Sequence, residues 1–168
     1  VSGVSPLMSA PQIQYQMNDL GGEGRRLGFV TLDAAFAERI AKIASDIPQL
    51  ALVVTTSVAG FLPRLKQVLG RLTKKVPSGK VTPLPGKTVL DFHRDVLKKG
   101  SADSPGVKVT PDDLGYIQYT GGTTGPPKGA MLSNRNVAHN IKSFMKWMGW
   151  EKGKGVVLSG CPMFHVAG

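Results

Sequence analysis

Two strand-like runs on either side of a helical pattern constrain this chain most. Residues 27–32 (LGFVTL) and 50–56 (LALVVTT) are rich in β-branched and apolar side chains, and between them 34–44 places Phe36, Ile40 and Ile43 on one helical face. The order is β-α-β. A helical crossover joins parallel strands and is nearly always right-handed, so the pattern predicts an α/β fold, a parallel sheet layered with helices.

The flanking elements read in the same way. Ser9 with Gln12 forms a capping-box pattern, after which Ile13, Met17 and Leu20 share a face until Gly21 and Gly22 stop the helix. Residues 61–72 predict a further helix despite Pro63 near its start, and 89–99 another, ending on Arg94, Lys98 and Lys99 where positive charge suits the helix dipole. A short strand is expected at 116–120. Residues 130–132 read as extended, Ser133 or Asn134 as the cap of a helix running through Met148, and 156–159 as a buried strand. Trp147, Met148 and Trp150 read as core or interface filler.

Composition narrows the class. With 168 residues, 41% of them hydrophobic and 19% charged, the chain has material for one core and is too apolar for disorder. Its one cysteine, Cys161, cannot close an internal disulfide, which points to a reducing compartment. That cysteine reads as a small buried hydrophobe, because no activating partner is evident. The first twenty residues hold no Lys or Arg, so the charged start of a secretory signal is missing, and no apolar run approaches the ~20 residues of a membrane span. The first residue is Val1 rather than Met, and the sequence reads as a fragment.

The formal charge is +10, and it is concentrated: residues 64–99 hold 10 Lys+Arg against 2 Asp. This basic stretch reads first as a solvated excursion, because it has too few aromatics for base stacking and is no clean amphipathic helix. An anionic membrane surface is the alternative partner, and nucleic acid is disfavoured. His93 and His139 have no ligand-like spacing, so no metal site is assigned.

The chemistry is concentrated in YTGGTTGPPKGAML. Gly121, Gly122, Thr123, Thr124, Gly125 and Lys128 fall within eight residues. Glycines let backbone N–H groups reach an anion unobstructed, threonine hydroxyls add donors, and lysine adds a point charge. The set suits a phosphate cradle. It is neither a Walker A loop, which needs Gly-Lys followed by Ser or Thr, nor a G-x-G-x-x-G turn. A glycine-threonine hairpin with no ligand is the bland alternative.

The run YTGGTTGPPKGAMLSNRNV resembles the phosphate-binding signature of the AMP-forming adenylate synthetases, which include acyl-CoA synthetases, peptide-synthetase adenylation domains and luciferases. Gly121 after Tyr-Thr is similar to the variant found in bacterial long-chain fatty acyl-CoA synthetases. Pro6-Leu7-Met8-Ser9 with Gln16-Met17-Asn18-Asp19 resembles the family's NPLYT…QLND stretch, and Cys161-Pro162-Met163-Phe164-His165-Val166 its PMFHV motif. The resemblance implies an incomplete piece of the large N-terminal domain: residues 1–110 as an α/β portion carrying the basic excursion 64–99, and 115–168 as the phosphate loop and start of an acyl site.

It further implies a two-step ligase. A fatty acid carboxylate attacks ATP to give acyl-AMP and pyrophosphate, with Mg²⁺, and CoA then takes the acyl group. On that resemblance Thr120, Gly121, Gly122, Thr123, Thr124, Gly125 and Lys128 hold phosphate, Lys128 also neutralises charge, and His165 orients the carboxylate or walls its pocket. The family's adenine, ribose, magnesium and C-terminal lysine motifs fall beyond Gly168, so the chain alone is expected not to turn over. The expected location is the cytoplasm, with peripheral contact to the inner face of the membrane compatible with it. An aryl, short-chain or amino acid substrate, or a non-catalytic anion-binding module, remains as an alternative.

Overall fold

The computed structural model describes residues 1–22, 24–63, 66–67, 69–70, 73, 76–121 and 125–156. They divide into two units, Met8–Asp103 and Val1–Leu7 with Ser104–Gly168.

The first unit is built on a parallel sheet. Strands β1 (Leu27–Leu32), β2 (Leu50–Thr56) and β3 (Thr88–Asp91) lie in that order, with Phe29 opposite Val53 and Val53 opposite Val89. The expected α/β class is what the chain forms. Helix α1 (Ala10–Gly21) begins where the Ser9 N–H donates to Gln12 Oε1 at 2.8 Å, and it buries Ile13 and Met17. At its end, a Cβ on Gly21 would sit 3.0 Å from Gln49 Cγ, so glycine lets the helix close against the approach to β2.

The crossover from β1 to β2 is less regular than its pattern predicts. A single turn α2 (Asp33–Ala35) passes into a wide turn, Phe36–Ile40, in which the Ala41 N–H donates to Phe36 O, and a tight turn follows at Ala44–Asp46. The i, i+4, i+7 side chains nonetheless all turn inward. Phe36, Ile40 and Ile43 are buried and, with Ile47, Leu50 and Val53, form the core. The backbone widens at Phe36–Ile40 without taking any of the three side chains out of the core.

Two further expectations are corrected. No helix starts at Phe61: Val58–Phe61 is a tight turn, and Leu62 is extended (ψ 154°) because the ring of Pro63 disfavours helical geometry in the residue before it. Helical backbone begins beyond Pro63, whose carbonyl accepts from the Gln67 N–H at 3.0 Å. The helix predicted over 89–99 loses its first turn to strand β3, since Val89 and Leu90 pair with Val53 and Val54, and a wide helical turn occupies Phe92–Leu97. Asp91 makes the switch by accepting the Arg94 N–H at 2.7 Å.

The second unit is an antiparallel hairpin followed by a helix. Strand β4 (Leu114–Thr120) pairs with β5 (Lys128–Ser133), and α3 (Asn134–Met148) follows directly. Ser133 Oγ accepts the Asn136 N–H while Asn136 Oδ1 accepts the Ser133 N–H at 2.9 Å, a reciprocal cap. Gly149 ends α3 in the left-handed region (φ 66°), and the Trp150 N–H reaches back to Met145 O at 2.9 Å.

Trp147, Met148 and Trp150 are not core. Trp147 is 80% exposed, and the other two are exposed as well. The apolar stripe of α3, including Val137, Ile141 and Phe144, is exposed along its length, so its aromatics gather on one another, with Phe144 and Trp150 edge to face at 5.4 Å. The buried strand expected over 156–159 fails at Val156, which lies in no element and is fully exposed beyond the turn closed by the Lys154 N–H to Glu151 O bond; 157–159 lie outside the described residues.

Candidate functional site

The glycine-rich segment is the connection of the β4–β5 hairpin. Register places Tyr119 opposite Gly129 and Thr120 opposite Lys128, so 121–127 span the gap between two strand ends held side by side. Directly opposed residues project to the same face, which brings the Thr120 hydroxyl and the Lys128 ammonium stem together at the mouth of the loop. Thr120 Oγ1 donates to Lys128 O at 3.4 Å, and both side chains are exposed.

Gly121 and Gly125 are exposed, with open space where a Cβ would stand. Gly122, Thr123 and Thr124, expected at the centre of the cradle, lie outside the described residues, as do Cys161 and His165. Of the expected site residues, the described geometry pairs Thr120 with Lys128.

Gly129 was not singled out among the site residues. A Cβ there would lie 2.8 Å from Ile117 Cγ2 and 3.2 Å from Tyr119 Cζ, so the Tyr119 ring crosses the backbone where only glycine leaves room. The clue in the sequence is a glycine inside an otherwise strand-like run.

The far end of the hairpin is clamped. The Asn134 and Arg135 N–H groups donate to Asp113 O at 3.0 Å and Pro111 O at 2.7 Å, Asn134 Nδ2 donates to Thr110 O at 3.0 Å, and the Arg135 guanidinium grips Asp112 through two 2.9 Å bonds. On the outer edge of β4, the Ile117 N–H donates to Val1 O at 2.8 Å and the Val1 ammonium to Gly115 O at 3.2 Å. These bonds fix the β4–β5 pair on which the loop is mounted.

The basic stretch is partly spent on the fold. Lys87 Nζ donates to Ile47 O and Leu50 O at 2.9 and 3.0 Å, tying the start of β3 to the start of β2. Arg94 and Lys99 both hold Asp95, at 2.7 and 2.8 Å, and Asp95 also accepts the Asp91 N–H at 3.0 Å. The Arg94 guanidinium and the Lys99 ammonium keep the Asp95 carboxyl well below the usual carboxylate range. Among the described residues, no cluster of three or more His, Cys, Asp or Glu is placed to hold a metal, and no helix is long and apolar enough to cross a membrane.

The family model of AMP-binding enzymes matches residues 1–168. The chain is 32% identical over 180 aligned positions to the long-chain-fatty-acid–CoA ligase of Bacillus subtilis, covering 98% of this chain and 28% of that protein. It is 28% identical to the protein of the same name from Escherichia coli O157:H7, covering 99% of this chain and 29% of that protein. A 31% match over 81% of the chain is found in phosphinothricin tripeptide synthetase PhsC of Streptomyces viridochromogenes, of which it covers 14%. The chain thus spans less than a third of the length of these relatives. A family match along the whole sequence, on a chain whose glycine-rich loop is held by a paired hairpin, has one reading: this chain belongs to the AMP-binding enzyme family.

Proposed function

We propose that this chain is the phosphate-loop portion of an ATP-dependent, AMP-forming ligase that activates a long-chain fatty acid and passes it to CoA. The observation that carries the proposal is the register of the hairpin, which holds Thr120 and Lys128 side by side at the two ends of a glycine- and threonine-rich loop. The names of the relatives from B. subtilis and E. coli support the substrate class.

In this reading a carboxylate oxygen attacks the α-phosphorus of ATP. The new O–P bond forms as the bond to the β-phosphate oxygen breaks, and pyrophosphate leaves with the electron pair. The CoA sulfur then attacks the acyl carbon, and AMP departs as the thioester forms. Thr120, Gly121, Gly122, Thr123, Thr124 and Gly125 hold the leaving phosphates through N–H and O–H donors, Lys128 neutralises charge that grows on them, and His165 orients the carboxylate. Mg²⁺, when bound to the nucleotide, supplies further charge neutralisation; no residue of this chain is assigned to it.

The α/β portion of an N-terminal domain, expected over 1–110 with the basic excursion 64–99, would be the unit Met8–Asp103, and the phosphate-loop portion, expected over 115–168, would take in Val1–Leu7 and Ser104–Gly168. The enzyme would work in the cytoplasm, with residues 64–99 available to the anionic inner face of the membrane. Lys87, Arg94 and Lys99 are already engaged within the fold, which weakens that contact.

The match to a peptide synthetase favours a second reading, in which the activated acid is an amino acid. Acid-dependent exchange of labelled pyrophosphate into ATP separates the two, using the full-length polypeptide in which this sequence occurs. Palmitate is expected to support exchange, with acetate, benzoate and amino acids inactive, and a Lys128→Ala/Thr124→Ala variant is expected to lose at least about a hundredfold. Exchange driven by an amino acid alone would replace the substrate assignment; exchange unaffected by the double variant would remove the loop from the reaction.

A further inference from the structure

The parallel sheet of the first unit ends in a crevice that the phosphate-loop chemistry does not use. Its volume is about 490 Å³, within the range of small-molecule sites. Asp33 follows the last residue of β1, Ser57 follows the last residue of β2, and Asp91 closes β3; all three line the crevice. In open α/β sheets, ligands settle outside the carboxyl ends of the strands, where loops diverge and leave room. Residues 79–83 run along one side, and Gly79 packs so closely on the end of β1 that a Cβ there would stand 2.2 Å from Asp33 O.

The hydrogen-bonding capacity of the lining selects the ligand. Among the described lining residues, Lys87 donates to two backbone carbonyls and the Arg94 guanidinium is paired with Asp95. Asp33 accepts the Ala34 N–H through Oδ1 at 2.7 Å, and Asp91 accepts the Arg94 N–H through Oδ1 at 2.7 Å. Each carboxylate keeps its second oxygen for a donor. Buried Thr55 donates to Leu90 O at 3.2 Å and retains acceptor capacity, while Ser57 and Thr82 add hydroxyls. Asp33 and Asp91 thus offer carboxylate acceptors that suit a hydroxyl donor better than a phosphate.

A neutral ligand that donates from adjacent hydroxyls matches this lining, and Val81, Pro83 and Val89 supply an apolar wall for an attached ring. We propose that the crevice binds a ribosyl group through a free cis-diol, with Asp33 and Asp91 accepting from its hydroxyls. A nucleoside and a free pentose share that chemistry. A nucleotide whose ribose carries a 3′-phosphate lacks the diol and brings charge toward the carboxylates, so it is excluded.

The test is calorimetric titration of the full chain with adenosine, D-ribose, 2′-deoxyadenosine and adenosine 3′-phosphate. Adenosine, which carries no phosphate, is expected to bind saturably, and 2′-deoxyadenosine and adenosine 3′-phosphate at least about tenfold more weakly. D-Ribose binding as tightly as adenosine would name a free sugar as the source; weaker ribose binding would name a nucleoside. Asp33→Asn/Asp91→Asn, which keeps both backbone caps, is expected to weaken adenosine at least about tenfold, and Val81→Trp to block it from an independent position, each with an unchanged circular dichroism spectrum. Lys128→Ala is expected to leave adenosine binding unchanged, which separates the crevice from the glycine-rich loop. The proposal is overturned by no saturable binding up to about 10 mM, by equal affinity for adenosine, 2′-deoxyadenosine and adenosine 3′-phosphate, or by undiminished binding in the crevice variants.

Discussion

At position 129 the backbone and the Tyr119 ring compete for the same space. A Cβ would come within 2.8 Å of Ile117 Cγ2, so Gly129→Val is expected to destabilise the hairpin by about 1–3 kcal/mol and to speed amide exchange at Thr120 and Lys128. Hydrogen exchange read by mass spectrometry checks this; unchanged protection would show that Tyr119 yields without cost. Asp95 offers a test in pH. Its folded carboxyl titrates below the unfolded value of about 3.9, so its contribution to stability is present above that pH and is lost as pH falls toward the folded value. Asp95→Asn should therefore lower the urea midpoint at pH 7, and the gap to the parent should narrow below about pH 4. A gap independent of pH would mean that Asp95 acts by shape alone. The chemical repertoire of the loop is legible in residue types, and a glycine within a strand-like run hints at position 129, but the reason for it lies in side chains of the neighbouring strand. Lys87 shows the same limit: it reads as one charge in a basic run, and folding spends it on two carbonyls of another segment.

Among elements, α3 and β3 mark the two extremes of legibility. The start of α3 is written locally, since Ser133 and Asn136 cap each other whatever surrounds them. Ser133→Ala is expected to cost about 1 kcal/mol and to reduce helicity in far-ultraviolet circular dichroism, with Ser133→Asp restoring most of it. Equal helicity in all three chains would show that the clamp from Thr110, Pro111 and Asp113 suffices to start the helix. Strand β3 is the reverse case. Its four residues precede a helical run without a break, and only pairing with β2 makes Val89 and Leu90 extended. The crossover at 33–46 lies between these extremes: the apolar spacing names the buried side chains, and their packing decides how the backbone winds to bury them.

For the molecule as a whole, the exposed stripe of α3 is the feature with the largest consequence. Val137, Ile141, Phe144, Trp147 and Met148 form an exposed apolar face, and contiguous faces of this kind drive association. The 168-residue chain is expected to self-associate at micromolar concentration, and Phe144→Lys/Trp147→Lys to shift it toward monomer in sedimentation velocity. A monodisperse parent chain would show that this face is covered within the chain itself.

What the sequence determined by itself is local or periodic: the β-α-β order, the caps of α1 and α3, the inward set Phe36, Ile40 and Ile43, and the chemical types gathered between Tyr119 and Gly129. Such features depend on residues a few positions apart, whose relative placement the backbone fixes in advance. Tertiary structure alone decided that β3 is a strand, that Lys87 serves two carbonyls, that Thr120 faces Lys128 across the hairpin, and that Asp33, Ser57 and Asp91 meet at the end of one sheet. Each of these joins residues distant in sequence or set by register. No local pattern encodes a distance between two segments until strand pairing and burial have brought them together.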